Sequence, residues 1–165
     1  MIVAMDRDGC IGKGNGLPWR ISSDMARFKR LTEADGFNSI IMGRRTWESL
    51  PERFRPLPER VNIVMSRDTD WEDEGAIAAL YVGRAIEIAF AEGSDECWII
   101  GGATIYEMFM DRVEEIHITE VQTENSGDVH FPKWDRSLWS QQLIETVGAD
   151  EENEYGSTYS IWTKS

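Results

Sequence analysis

The chain has 165 residues, 41% apolar and 28% charged, with 30 Asp and Glu against 17 Lys and Arg and a formal charge of −13 at pH 7. A chain of this length fits a single domain, residues 1–165, that buries roughly 70% of its unfolded surface without a disulfide or metal staple. So apolar a composition excludes a disordered acidic chain. The excess of negative charge argues against a general nucleic-acid or anionic-membrane surface, which clustered Lys and Arg would have to hold.

Cys10 and Cys97 form no CxxC pair and read as free, buried or half-buried thiols. His117 and His130 stand in no HExxH or HxH pattern, so no metal site is expected. The first apolar run, 1–5, is too short for a signal peptide, and no stretch approaches the roughly 18 apolar residues of a membrane span. The expectation is a cytoplasmic protein.

Apolar, β-branched runs at 2–5, 39–42, 61–66, 97–100, 116–121 and 155–163 predict strands. Helical spacing predicts helices at 23–31, behind a Ser-Ser cap signal, and at 44–50, 84–91 and 103–110. Strand followed by helix, repeated, is the pattern of an α/β fold with a mostly parallel sheet and flanking helices. The turn-rich acidic stretch before the last strand predicts an antiparallel C-terminal end.

Gly9, Gly12, Gly14 and Gly16 precede Leu17-Pro18-Trp19, which predicts a loop with a Pro-Trp anchor, a natural lid over a site. Asp24 follows in the first helical turn, with Phe28 one turn later on the same face. Asp24 reads either as a helix-dipole acid or, in that company, as a site carboxylate.

Two strands run through glycine into a helix, at Ile40-Ile41-Met42-Gly43-Arg44-Arg45-Thr46 and at Ile99-Ile100-Gly101-Gly102-Ala103-Thr104. Each is either a tight turn or a phosphate site at the carboxyl end of a strand, and two together point to a dinucleotide. Neither is a Walker loop or a GxGxxG fingerprint. Arg44, Arg45, Thr46, Ser66 and Arg67 bring guanidiniums and hydroxyls to neighbouring strand ends, a set suited to a phosphomonoester such as the extra phosphate of NADPH.

The chain resembles dihydrofolate reductase along nearly its whole length. The resemblance runs through Ile11-Gly12, Gly16-Leu17-Pro18-Trp19, Asp24-Met25-Ala26-Arg27-Phe28-Lys29, Ile41-Met42-Gly43-Arg44-Arg45-Thr46-Trp47, Pro56-Leu57-Pro58-Glu59-Arg60, Ile100-Gly101-Gly102-Ala103-Thr104-Ile105-Tyr106 and Gly127-Asp128-Val129-His130-Phe131-Pro132. It implies a dihydrofolate reductase-like fold with a central, mostly parallel eight-stranded sheet. It also implies NADPH-dependent reduction of 7,8-dihydrofolate to tetrahydrofolate, by hydride transfer to pterin C6 and protonation at N5.

The resemblance further implies Asp24 as the pterin carboxylate, with Trp19 and Thr119 organising a bound water and the Asp24 network. Ile2, Val3, Ala4, Met25 and Ile100 would line the pterin, Phe28, Leu50 and Leu57 would clamp the aminobenzoyl ring, and Arg60 would pair with the glutamate carboxylate. For the cofactor it implies Ala4, Ile11, Gly12, Asn15, Gly16 and Leu17, then Gly43, Arg44, Arg45, Thr46, Ser66 and Arg67. Ile100, Gly101, Gly102, Ala103, Thr104, Ile105 and Tyr106 complete that set, with a cis Gly101–Gly102 bond. The partners implied are dihydrofolate, NADPH and antifolate inhibitors, with no metal, nucleic acid or membrane, and a monomer.

Loop 51–55 looks longer than in short family members, so that Arg53 and Arg55 would extend the glutamate rim, and Ala103 stands where many members have a third glycine. The rivals are the pyrimidine reductase of riboflavin synthesis, which shares this fold and NADPH, and a non-catalytic nucleotide-binding relative. Asp24 with Phe28 and Arg60 favours the folate reading. The charge is also uneven: residues 43–67 carry six basic against three acidic residues, whereas 68–165 carry five against 22. The expected picture is an acidic exterior around a small basic groove.

Overall fold

The computed structural model describes residues 1–14, 16–124 and 127–165, so Asn15 lies outside the described residues. In chain order the elements are β1 (Ile2–Asp6), β2 (Cys10–Gly12), α1 (Ser22–Glu33), β3 (Asn38–Gly43), α2 (Arg44–Ser49), β4 (Arg60–Met65) and β5 (Ile77–Ala79). There follow α3 (Val82–Ala91), β6 (Cys97–Gly101), α4 (Ala103–Phe109), β7 (Glu115–Val121), β8 (Val129–His130), β9 (Trp139–Val147) and β10 (Ser157–Lys164). All four helices and the six strands expected from the sequence are present to within two residues at each end. The chain forms two compact units, Met1–Phe28 with Met110–Ser165, and Lys29–Phe109. Eight of the strands make two hydrogen-bonded sheets of four, one in each unit.

The first unit holds a sheet of order β1-β7-β10-β9. β1 runs parallel to β7, while β10 is antiparallel to both β7 and β9, so the C-terminal strands are antiparallel as the acidic turn predicts. β1 is buried almost throughout, which is why it reads as an unbroken apolar run. β9, an edge strand, is exposed at most positions and carries no apolar alternation, so sequence pattern misses it. The glycine-rich segment is not wholly loop: β2 pairs with β8, and Lys13 bridges Gly16. A three-residue strand paired this far along the chain leaves no periodic signal.

Helix α1 starts at Ser22, but its N-terminal cap comes from a distant residue. The Ser23 amide and hydroxyl both donate to Asn153 Oδ1, at 3.0 and 2.9 Å. Asn153 is buried and is held by Asp150, whose Oδ1 accepts from the Asn153 amide at 2.8 Å and side chain at 3.0 Å and from the Glu152 amide at 2.9 Å. Those amides pull the Asp150 carboxyl below its usual range, so this contribution is lost only as pH falls through the lowered value. The acidic turn thus fixes where α1, and Asp24 in its first turn, begins. Asn153→Ala is expected to cost about 1–2 kcal/mol in urea-unfolding stability at neutral pH. An unchanged midpoint would show that the cap is redundant.

The second unit is a wholly parallel sheet of order β5-β4-β3-β6. Ile40, Ile41, Met42, Ile63 and Val64 are fully buried on β3 and β4, with Trp47 of α2 and Phe109 of α4 beside them in the core. Trp47 satisfies its Nε1–H on Asp73 Oδ2 at 2.8 Å. Cys10 and Cys97 are free thiols, and Cys97 is exposed at the start of β6, unlike the buried or half-buried position expected. Among the described residues no helix is long and apolar enough to cross a membrane.

Candidate active site

A single row of residues crosses the first sheet. Ala4 of β1 is in register with Thr119 of β7, Thr119 with Tyr159 of β10, and Tyr159 with Glu145 of β9. Directly paired residues project from the same face, so this row offers a methyl, a hydroxyl, a phenol ring and a carboxylate in order. Helix α1 meets that row. Thr119 Oγ1 donates to Asp24 Oδ1 at 2.6 Å, and Arg27 Nη1 lies 3.4 Å from the same oxygen. Among the described residues no hydrogen bond reaches Asp24 Oδ2, which leaves that oxygen for a ligand.

Burial raises the Asp24 pKa above the usual carboxylate range, and the Thr119 hydrogen bond and then the Arg27 charge oppose it. The result is a carboxyl group whose proton affinity is set by competing neighbours, the arrangement found where protons are handled. Asp24 lines an open cleft of about 290 Å³ together with Leu17, Trp19, Arg20, Ile21, Ser22 and Met25. Trp19 is buried against Ile21 and Val121, with Ala4 packed on the cluster, so the indole forms a fixed wall. Met25 and Leu17 are 55% and 54% exposed on that cleft, apolar surface on offer to a ring.

The other residues expected of this half follow from the same elements. Ile2 and Val3 are buried on β1, opposite His117 and Ile118. Phe28 is half-buried on α1 one turn beyond Asp24, and Ile11, Gly12 and Gly16 sit on β2 and its bridge. Arg27, Glu145 and Tyr159 were not singled out from sequence. The only trace of them there is the three-residue spacing of Arg27 from Asp24, which on an amphipathic helix ordinarily reads as a solvated pair.

In the second unit the parallel order brings the carboxyl ends of β4, β3 and β6 side by side. The two glycine junctions are therefore neighbours. A Cβ at Gly43 would lie 3.0 Å from Ile105 Cγ1, and one at Gly102 would lie 3.7 Å from Thr46 Oγ1. Gly101 has φ +118, a region side chains avoid, and a Cβ there would meet the Tyr106 ring at 3.2–3.3 Å. The Gly101–Gly102 bond is cis, as the family resemblance implies. The Tyr106 hydroxyl donates to the Ile100 carbonyl at 2.9 Å. Ile105 and Tyr106 are buried, so they shape this cradle from behind, whereas Thr104 is exposed on its α4 side and Ala103 is half-buried.

Around the cradle, Arg45 and Arg67 are exposed and Thr46 and Ser66 half-buried. Arg44 is already engaged: its Nε donates to Glu48 at 2.8 Å and its Nη1 lies 3.7 Å from Asp68. Guanidiniums, hydroxyls and a side-chain-free backbone at adjacent strand ends fit a nucleotide carrying an extra phosphate, provided Asp68 yields Arg44.

Leu57 is tied to β4 by buried Asn62, which accepts from its amide and donates to its carbonyl, each at 2.9 Å. Arg60 donates to the Pro58 carbonyl through Nε at 2.8 Å and to Thr32 Oγ1 through Nη1 at 3.0 Å. That leaves Nη hydrogens able to donate to a further acceptor. Leu50 closes α2, with its amide donating to the Trp47 carbonyl. Arg55, expected to extend the glutamate rim, lies 3.9 Å from Asp73 and 3.8 Å from Glu52 and over the Trp47 ring. Arg53 lies over Phe54.

A family model described as dihydrofolate reductase matches residues 1–164. A Bacillus subtilis (strain 168) protein named dihydrofolate reductase is 37% identical over 163 residues, 99% of this chain and 92% of that protein. A Haemophilus influenzae (strain ATCC 51907 / DSM 11121 / KW20 / Rd) protein of the same name is 35% identical over 164 residues, covering 99% and 97%. One from Neisseria meningitidis serogroup A / serotype 4A (strain DSM 15465 / Z2491) is 43% identical over 141 residues, covering 86% and 83%.

Proposed function

Because the chain belongs to the dihydrofolate reductase family, we propose that it acts as one catalytic domain, binds NADPH, and reduces 7,8-dihydrofolate to 5,6,7,8-tetrahydrofolate. The observation that carries this reading is the Asp24 carboxylate, held on Thr119 and lining a cleft together with Trp19 and Met25. Family membership disfavours the riboflavin-pathway pyrimidine reductase and a non-catalytic nucleotide binder.

In this reading a bound nicotinamide cofactor would supply the hydride for pterin C6, water would supply the proton for N5, and the chain would bind and orient the ring. Asp24 accepts paired hydrogen bonds from the pterin amino group and ring nitrogen, and its negative charge favours the proton at N5. Thr119 fixes the carboxylate, and Trp19 with Ile2, Val3, Ala4, Met25 and Ile100 walls the ring and thins the water around it. Phe28, Leu50 and Leu57 hold the aminobenzoyl ring, and the Arg60 fork takes the glutamate carboxylate. Gly43 to Thr46, Ser66 and Arg67 take the adenosine and its phosphate, while Gly101 to Tyr106 with Ile11, Gly12, Asn15, Gly16 and Leu17 take the rest of the cofactor. A cytoplasmic monomer, open to antifolate inhibitors at the same cleft, completes the proposal.

The direct test follows the NADPH absorbance band with dihydrofolate as substrate. Loss of absorbance that requires both compounds is the expected result. Absence of turnover with dihydrofolate, under conditions where the protein is folded, would overturn the proposal.

A further inference from the structure

The side chain of Arg27 is 3% exposed, a rare place for a guanidinium, and both of its Nη groups have partners. Nη2 donates to Glu145 Oε2 at 2.6 Å, and Nη1 faces Asp24 Oδ1 at 3.4 Å and Thr119 Oγ1 at 3.5 Å. The carbon at its centre lies 4.3 Å above the Tyr159 ring, which fixes the plane of the fork. Tyr159 is itself fixed, its hydroxyl 2.7 Å from His117 Nδ1, with Glu115 3.3 Å from the other ring nitrogen. The ionisable groups linked to Asp24 are therefore Arg27 on α1 directly, Glu145 on β9 and Tyr159 on β10 through Arg27, and His117 with Glu115 on β7 through Tyr159.

A purely structural ion pair between α1 and β9 would need only Arg27 and Glu145. Here the same cation also reaches the oxygen that Thr119 holds. We propose that Arg27 is a positioning residue for the reaction: shared between Asp24 and Glu145, it holds the Asp24 carboxylate on Thr119 and keeps it ionised, and Glu145 limits how much of that charge Asp24 receives. The shorter bond goes to Glu145, and Glu145 is half-exposed, so the cation is only partly spent on the site. Burial pushes Asp24 toward its neutral form and Arg27 pushes it back. Burial and the cation thus act on the same carboxyl in opposite directions.

The proposal rests on the reading of Asp24 as the pterin acid, but its test needs no substrate. The Asp24 side-chain carboxyl is titrated by carbon-13 NMR in the free protein, its signal assigned by its absence in Asp24→Asn. Arg27→Met, which keeps the length and removes the charge, is expected to raise the Asp24 midpoint by about one pH unit or more. Arg27→Lys is expected to restore most of that shift. Glu145→Gln, at a half-exposed position that tolerates the change, is expected to move the midpoint the opposite way, downward. The pH at which hydride transfer falls should follow the same order across the variants.

Opposite shifts from Arg27→Met and Glu145→Gln support the assignment. An Asp24 midpoint that stays put in either variant, or that moves the same way in both, overturns it. Should Arg27→Met fail to fold, Glu145→Gln and Arg27→Lys decide alone, and a Glu145→Gln midpoint at or above the parent value overturns it. Failed turnover with normal Asp24 titration would instead count against the proposed reaction.

Discussion

Asp24→Asn is expected to slow hydride transfer to dihydrofolate by about two to four orders of magnitude at neutral pH, with the deficit shrinking as pH falls. The asparagine keeps the size of the side chain and an oxygen able to accept from Thr119, which donates to Asp24 Oδ1 at 2.6 Å, so the fold survives. What it removes is the charge that favours a proton at N5, and it sets an amide donor where the pterin offers donors of its own. In acid the substrate arrives already protonated and the missing charge matters less. Single-turnover rates from acidic to neutral pH distinguish this from general damage, because a deficit equal at every pH would point to misplacement and an unchanged rate would refute the assignment.

The same substitution has a second consequence, for stability. Burial raises the Asp24 pKa in the folded protein above its unfolded value. A group of that kind stabilises the fold fully below the unfolded value, and the contribution disappears as pH rises through the folded one. Once ionised, Asp24 is therefore a net burden on the fold. Asp24→Asn is expected to unfold at higher denaturant than the parent at neutral pH, and the advantage vanishes below the unfolded carboxylate value.

Arg44→Ala is expected to weaken NADPH by about 10- to 100-fold while leaving NADH nearly unchanged, the scale of one or two hydrogen bonds to a charged group. The sheet order sets Arg44 at the end of β3 between the ends of β4 and β6, where an adenosine phosphate would meet it. Glu48 and Asp68 flank the guanidinium, so phosphate must compete with carboxylate for it. Asp68→Asn is accordingly expected to tighten NADPH. Calorimetric titration with both nucleotides reads this directly. Equal losses for NADPH and NADH in Arg44→Ala would mean that the residue supports the site without meeting the phosphate.

Much of this is legible in the sequence. The parallel strands are buried on both faces, so β1, β3, β4 and β6 stand out as apolar runs, and Gly43 and Gly101 mark where those strands end. Asp24 was recognisable because carboxylate, aromatic and loop lie close together in sequence. β9 was not, since an exposed edge strand with Leu143 and Ile144 turned outward has no period to read. Asn153 as the cap of α1 was equally hidden, because the nearby serines offered a local answer.

Sequence alone determined the four helices, the strongly apolar strands, the glycine junctions, the acid and the family, since propensity, periodicity and motif spacing are local properties of the chain. Only the tertiary structure decided what Asp24 answers to. The row Ala4, Thr119, Tyr159 and Glu145 exists because three strand registers, one interrupted by a bulge between Tyr159 and Ser160, bring four distant residues onto one line. A slip of one residue in any of them would turn that strand's member to the other face and leave Arg27 buried beside different partners.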